Sequence, residues 1–305
     1  MSAEIVLGPI LFNWQPETWR DFYFRMADEA PVNCVHLGEV VCAKRAPFTA
    51  PYMADVIERL DAAGKEIVIS SLALIGSERE ASAMHELVQG TGRMIEANDL
   101  GIADLLAGRA HAIGPMVNVY NEHALAFLAT RGAVRVCLSP ELPATSLAAL
   151  AAATPSGTRL EVLVFGRVPL AISARCFHAR AHGLHKDGCR YVCGNDPDGL
   201  VVDTIDHRPF VTVNGTQTLS YTYGNLAHEM TALRAMGIGR FRLSPHACDM
   251  VAVADAFRGL AAGAMDADEA NARLGALLPG REFANGFYHA VPGHRLSRDT
   301  LSRPE

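Results

Sequence analysis

Short apolar runs rich in β-branched residues alternate with stretches of helical periodicity along most of this 305-residue chain. That alternation restricts the fold more than any other feature, because a strand leading through a helix to another apolar strand is a βα unit, and successive units build a parallel sheet. Residues 5–8 read as the first strand. Pro16-Glu17 then opens a helix, where the missing proline N–H costs nothing, and Trp19, Phe22, Tyr23 and Met26 recur at the spacing of a core-facing stripe. Residues 32–37 form the second strand. The next helix starts at Pro51, buries Met53, Val56, Ile57 and Leu60, and stops at Gly64, a residue suited to a left-handed cap.

Further strands are expected at 66–74, 93–97, 116–119, 134–138, 160–165 and 238–243, with helices at 79–89, 122–131, 146–153, 224–236 and 250–260. About eight strands with intervening helices suit an α/β, TIM-barrel-like (βα)8 fold. A doubly wound open sheet is the alternative, weakened because no glycine-rich dinucleotide fingerprint follows the first strand. The rhythm breaks after strand seven, where a cysteine-rich loop precedes a hairpin pattern, 199–205 with 210–213. The expected organisation is a barrel-like domain over 1–263 carrying an insertion at about 166–221, then a C-terminal helix and polar tail over 264–305. The end of that tail, 294–305, is expected to be mobile.

With half of its residues hydrophobic and a fifth charged, the chain can bury a real core. Its net charge of -6 and scattered basic residues give no long-range attraction to nucleic acid or to an anionic membrane. No apolar run approaches the roughly 20 residues of a membrane span, and the N-terminus lacks a basic leader region, so a cytoplasmic location is expected. An odd count of seven cysteines argues against a disulfide framework and for metal or redox chemistry.

Four of these cysteines stand apart. Cys42 lies alone in Gly38-Glu39-Val40-Val41-Cys42-Ala43-Lys44-Arg45, and Cys176, Cys189 and Cys193 fall in a polar, basic segment that offers little apolar surface to bury a thiol. Cys34, Cys137 and Cys248 better match the common case of a free cysteine as a small buried hydrophobe. Loops that follow barrel strands lie on the C-terminal face. Cys42 follows strand two and the others follow strand seven, which a closed barrel separates only by strands eight and one, so the four thiols can converge at one rim. Spacing alone leaves the occupant open. Zinc usually takes ligand pairs two to four residues apart, and only Cys189 and Cys193 form such a pair, whereas four cysteines suffice for a 4Fe-4S cluster. The basic neighbours Arg175, Arg180, Lys186 and Arg190 would favour thiolates.

His178, His182 and His185 are spaced to share one helix face, a spacing that can hold a metal. A solvated face is the preferred reading, because no carboxylate is spaced to complete the set. Glu39, Glu96, Asn98, Asp99, Asn118, Asn121, Ser139, Glu141, Arg242 and Ser244 follow expected strands and are candidates to line a pocket or cap helices, Asn98-Asp99 being the most cap-like. No G-x-S-x-G elbow or H-E-x-x-H motif supports hydrolysis, and catalytic residues stay unassigned.

Four strings resemble one family. They are Leu37 through Arg45, Val168 through Arg180, Lys186 through Cys193, and Asn285-Gly286-Phe287-Tyr288-His289 with Pro292-Gly293-His294. Together they are similar to the collagenase-like peptidase family over nearly the full length of the chain. The resemblance implies that Cys42, Cys176, Cys189 and Cys193 bind a 4Fe-4S cluster. It further implies a role in oxygen-independent ubiquinone synthesis, as one subunit of a hydroxylase of the precursor's aromatic ring. That hydroxylase would be a heterodimer with a related protein, UbiU, served by a lipid carrier, UbiT, with prephenate as the hydroxyl source. A zinc-stabilised interaction subunit without chemistry of its own, and a true collagenase-like peptidase, are the alternatives.

Overall fold

A computed structural model describes residues 3–297. The barrel is built by β1 (Glu4–Leu7), β2 (Cys34–Leu37), β3 (Glu66–Ser70), β4 (Met94–Ala97), β5 (His111–Ile113), β6 (Ala133–Cys137) and β7 (Arg159–Ile172). The insertion adds β8 (Leu200–Asp203), β9 (Pro209–Asn214) and β10 (Gln217–Asn225), after which β11 (Arg240–Leu243) is the eighth barrel strand. Because β11 pairs in parallel with both β7 and β1, the sheet closes on itself as a parallel eight-stranded barrel ringed by helices. The far half of β7 runs on past the rim and pairs antiparallel with β10, which carries β9 and β8 outward, and the two-residue β12 (Phe283–Ala284) pairs with β10. The expected TIM-barrel-like fold is therefore present, with its cysteine loop and hairpin after strand seven.

Several expected elements shift. The apolar run 116–119 is not a strand: Pro115–Val117 turns in a 3-10 helix and Asn118 adopts φ 59°, which breaks extended backbone, so β5 lies earlier. The helix expected at 224–236 begins only at Met230, because Gly224 and Asn225 end β10, a strand whose polar sequence gave no alternating apolar signal. Strand three ends at Ser70. Gly64 does close its helix in the left-handed region, at φ 68°.

Around the barrel, Trp19, Tyr23 and Met26 of helix Pro16–Asp28 and Val56 and Leu60 of helix Met53–Ala62 are buried against the outer strand faces. Each such side chain contributes roughly 1.5–3 kcal/mol. The barrel interior is layered, as two-residue alternation requires. Val6, Cys34 and Val68, with Met94 packed on them, form an apolar floor. Two residues further along the strands come His36, Ser70 and Glu96, joined by Glu161 and Arg242 in a buried charged layer.

The described start of the tail is held: Ser297 donates its N–H to Asn285 Oδ1, 2.7 Å away, and accepts from Asn285 Nδ2 at 2.8 Å. The rest of the tail lies outside the described residues. No helix among the described residues is long and apolar enough to cross a membrane.

A candidate metal centre beside the barrel mouth

Cys42, Cys176, Cys189 and Cys193 line one pocket, together with Lys44, Arg45, Lys186, Tyr191, Val192 and Gly215. Each thiol is placed by its own local structure. Cys42 follows the turn after β2, in which Glu39 folds back so that its Oε1 accepts the N–H groups of Val41 (2.8 Å) and Cys42 (2.9 Å). Cys176 stands at the N-cap of helix Phe177–Ala181, its Sγ accepting from Ala179 N at 3.4 Å. Cys193 lies in the 3-10 turn Val192–Asn195, its Sγ accepting from Asn13 Nδ2 at 3.3 Å. Between Cys189 and Cys193, Arg190 and Tyr191 both hold positive φ, 49° and 55°. Such backbone costs on the order of 1–3 kcal/mol per residue and persists only where its surroundings over-determine it. Here Tyr191 packs edge-on against Phe48 at 4.7 Å, and Lys44 Nζ donates to the Lys186 carbonyl at 2.6 Å, tying the Cys42 segment to the later loop.

Of the charged side chains that line this pocket, Arg45 is buried to 3% exposure. Its Nη1 donates to the Leu11 carbonyl (3.1 Å) and its Nη2 to Asn214 Oδ1 (2.7 Å), but its Nε has no hydrogen-bond partner and the nearest carboxylate oxygen, on Glu39, is 4.0 Å away. Burial pushes the Glu39 carboxyl up, against the pull of Arg45. Burial also pushes Cys42 and Cys176 up, and for Cys176 the neighbouring Cys193 and Cys189 add to the rise while Arg45 opposes it. Grouped thiols hinder one another's ionisation until a cation joins them.

Among the described residues, no three of these sulfurs lie within 4.8 Å of one another. Thiolates about 2.3 Å from a single tetrahedral zinc would sit about 3.8 Å apart. A wider quartet suits a polynuclear cluster, in which each sulfur binds a different iron.

Gly215, at φ 70°, lies against Arg45, and a Cβ there would come within 2.2 Å of Arg45 Nη2. Gly215→Ala is expected to displace the guanidinium, to cost about 1–3 kcal/mol in urea unfolding, and to lower metal uptake; unchanged stability and uptake would contradict this role for Arg45.

A second pocket opens at the barrel mouth, lined by Leu11, Val40, Glu96, Asn98, Arg242 and Ser244 among others. The two pockets have no lining residue in common, but Leu11 of the mouth accepts from Arg45 of the cysteine pocket, and Val40 of the mouth lies two residues from Cys42. The expected rim residues thus divide. Glu96, Asn98, Arg242 and Ser244 line the mouth, whereas Asp99 and Asn121 are helix N-caps, accepting from Gly101 N and Ala124 N. Asn98 is not the cap its sequence suggested: it is buried, and its Nδ2 donates to Ser71 O and Glu96 Oε1. Asn118 and Glu141 line a shallow outer pocket, and Ser139 lines another near Tyr288.

A third cluster anchors the cysteine loop to the barrel. The Arg167 backbone N–H donates to His246 Nε2 (2.9 Å), which leaves the proton on Nδ1 to donate to Asp198 Oδ1 (2.8 Å). Arg167 Nη2 donates to Asp198 Oδ2 at 3.0 Å, and Tyr223 donates to the same oxygen. The hydrogen bond from His246 Nδ1 and the charge of Arg167 hold the Asp198 carboxyl well below the usual range despite burial. Asp198→Ala is expected to cost about 3–5 kcal/mol, since it leaves Arg167 buried without its carboxylate; a loss below about 1 kcal/mol would show that the loop is tethered elsewhere.

The remaining cysteines are buried or partly buried and separate from the quartet's pocket. Burial pushes Cys34 and Cys248 up to about 12, and Cys137 higher still. Of the basic residues expected to assist the thiols, Lys186 lines the pocket, whereas Arg175, Arg180 and Arg190 do not; Arg45 and Lys44 line it in their place. The histidine reading is also corrected. The helix ends at Ala181 and Gly183 turns left-handed, so His185 leaves the face, while His178 is fully buried rather than solvated. A carboxylate does complete the set: Asp196, brought in by the loop fold. Asn13, Asp198 and His246 carried no sequence signal. Arg45 could have been suspected only from its place three residues after Cys42.

Ser70, His36 and Glu96 contain the residue types of a hydrolytic triad. However, Ser70 Oγ (3.3 Å) and Glu96 Oε2 (3.2 Å) both face His36 Nδ1, and Ser70 is 2% exposed, so nucleophile, base and orienting acid are not in series.

Comparison with known proteins was made against this geometry. Residues 17–298 match Peptidase family U32. The solved structure of the U32 peptidase Mk0906 is similar over 80% of this chain and 94% of its own, at 11% sequence identity and a TM-score of 0.45. With the family match running from the first helix through the barrel and its cysteine-bearing insertion to the tail, the chain belongs to peptidase family U32.

Proposed function

We propose that this chain is the 4Fe-4S subunit of an oxygen-independent hydroxylase that acts on the aromatic ring of ubiquinone precursors. The reading rests on one observation above others: four cysteines from two distant stretches line a single pocket with a buried, incompletely paired arginine. The motifs around them resemble UbiV within the collagenase-like group, and four cysteines are the number that a 4Fe-4S cluster needs. Cys42, Cys176, Cys189 and Cys193 would hold the cluster, and the Arg45 guanidinium would offset its negative charge. When bound, such a cluster supplies one-electron chemistry tuned by nearby hydrogen bonds and burial. Asn13 Nδ2 and Ala179 N–H donate to two of the sulfurs and would act in that way. The hydrogen bond from Arg45 to the Leu11 carbonyl links this centre to the mouth pocket.

A UbiU-like protein would complete a heterodimer, a UbiT-like carrier would present the lipid precursor, and prephenate would serve as hydroxyl donor, all by resemblance. Anaerobic cells deprived of the chain are expected to accumulate a ring-unhydroxylated precursor, with aerobic quinone unaffected. Normal anaerobic quinone in such cells would overturn the proposal.

Membership of a peptidase family favours a second reading, hydrolysis of peptides. Peptide cleavage by the isolated chain that persists on chelation and is lost on changing one nucleophile would establish it; the wiring of Ser70, His36 and Glu96 speaks against that outcome.

A further inference from the structure

Outside the cysteine quartet, His178, His182 and Asp196 bring one ligand atom each within 4.8 Å of one another. His178 is fully buried, and its Nδ1 faces the Val213 carbonyl at 3.2 Å. A carbonyl only accepts, so Nδ1 carries a proton, and the ring turns its other nitrogen, Nε2, away from that carbonyl. That nitrogen has no hydrogen-bond partner and points at Asp196 Oδ2, 3.0 Å away. A nitrogen and a carboxylate oxygen at this distance are held together by a cation between them, a proton or a metal ion, and a metal ion can also take up the adjacent His182. The backbone carbonyl of Asp196 is fixed by Asn214 Nδ2 at 2.8 Å, which aims its carboxylate. One helical turn beyond His178, the ring of His182 stacks on that of His178 at 5.5 Å and 17°.

We propose that His178, His182 and Asp196 form a second metal site, separate from the four cysteines, for a divalent transition-metal ion such as zinc. Two imidazoles and one carboxylate are donors for zinc and its first-row neighbours, whereas magnesium and calcium favour all-oxygen sets. The bond from His178 Nδ1–H to a backbone carbonyl is the outer contact that metal-bound histidines commonly make. His182 is exposed and Asp196 partly so, which gives the ion a way in and leaves positions for water. Since His178 follows Cys176 by two residues and Asp196 follows Cys193 by three, an ion here would pin together the two segments that carry those thiols. The site does not depend on what the cysteines bind.

The full-length chain, purified anaerobically and loaded with iron and sulfide, can be titrated with cobalt(II) as the spectroscopic probe. We expect one equivalent with nitrogen and oxygen d–d bands, no sulfur-to-cobalt charge transfer, and displacement by zinc. His182→Ala and Asp196→Asn, both at accessible positions, should each weaken binding by roughly tenfold or more while iron content and the visible spectrum stay unchanged. No cobalt or zinc uptake, uptake with sulfur charge transfer only, or variants that bind like the parent would overturn the site. Iron and sulfide analysis of the same sample reports separately on the cysteine quartet, so a chain without iron would defeat the functional proposal and leave this one standing.

Discussion

Cys176→Ala is expected to abolish iron and sulfide incorporation and anaerobic quinone formation together, whereas Cys137→Ala should lose neither. Cys176 lines the pocket shared by the other three thiols and accepts the Ala179 N–H at its helix cap, so its loss removes a ligand and a cap at once. Cys137 is as thoroughly buried but faces Arg242, Glu161 and Glu96 inside the barrel, and trimming it leaves only a small void worth about 1 kcal/mol. The comparison separates ligation from burial, the two roles a free cysteine can play. Full iron content in the Cys176 variant, measured after anaerobic purification, would contradict the assignment, and so would loss of iron in the Cys137 variant.

Arg242→Met should be the most destabilising single change in the barrel. Arg242 donates to both Glu96 and Glu161, and its Nη2 lies 3.4 Å from His36 Nε2. Removing this cation strands two buried carboxylates, at a cost of about 3–5 kcal/mol, against a typical total of about 5–15 kcal/mol. The same layer sets a pH dependence. Although burial raises Glu161, Arg242 and Arg240 outweigh it and hold its carboxyl at about 2, and Arg242 and His36 hold Glu96 well below the usual range. A folded pKa depressed in this way stabilises the protein above the unfolded value of about 4.3, and the contribution is lost as pH falls from there towards about 2. Urea unfolding between pH 7 and pH 3 should therefore show the parent losing stability and the variant losing much less. A drop below about 1 kcal/mol for Arg242→Met at pH 7 would mean that the layer relaxes around the missing charge.

The barrel was legible in the sequence because its strands are buried on both faces and read as short apolar runs, with helices announced by Pro16, Pro51 and the cap at Gly64. What escaped was structure held by polar residues. β10 buries Gln217, Leu219, Thr222, Tyr223 and Asn225, a mixed and irregular set that gives no two-residue apolar pattern, and it pairs with the edge offered by the far half of β7. The convergence of the four cysteines followed from strand order alone, since β2 and β7 are separated in the closed barrel by β1 and β11. Their surroundings did not: Asn13 reaches Cys193 from 180 residues away in sequence and Asn214 reaches Arg45 from 169, and nothing local marks them. Asp196 was missed as the partner of His178 for the same reason, because a loop fold rather than a helical spacing brings it in.

Iron and acid-labile sulfide analysis, with visible and electron-spin spectra, of the anaerobically purified chain coexpressed with a UbiU-like partner tests the central claim most directly. The account predicts four irons and four sulfides per chain, lost together when any one of Cys42, Cys176, Cys189 or Cys193 is replaced. A colourless protein holding one zinc at those thiols, or no metal at all, would contradict it.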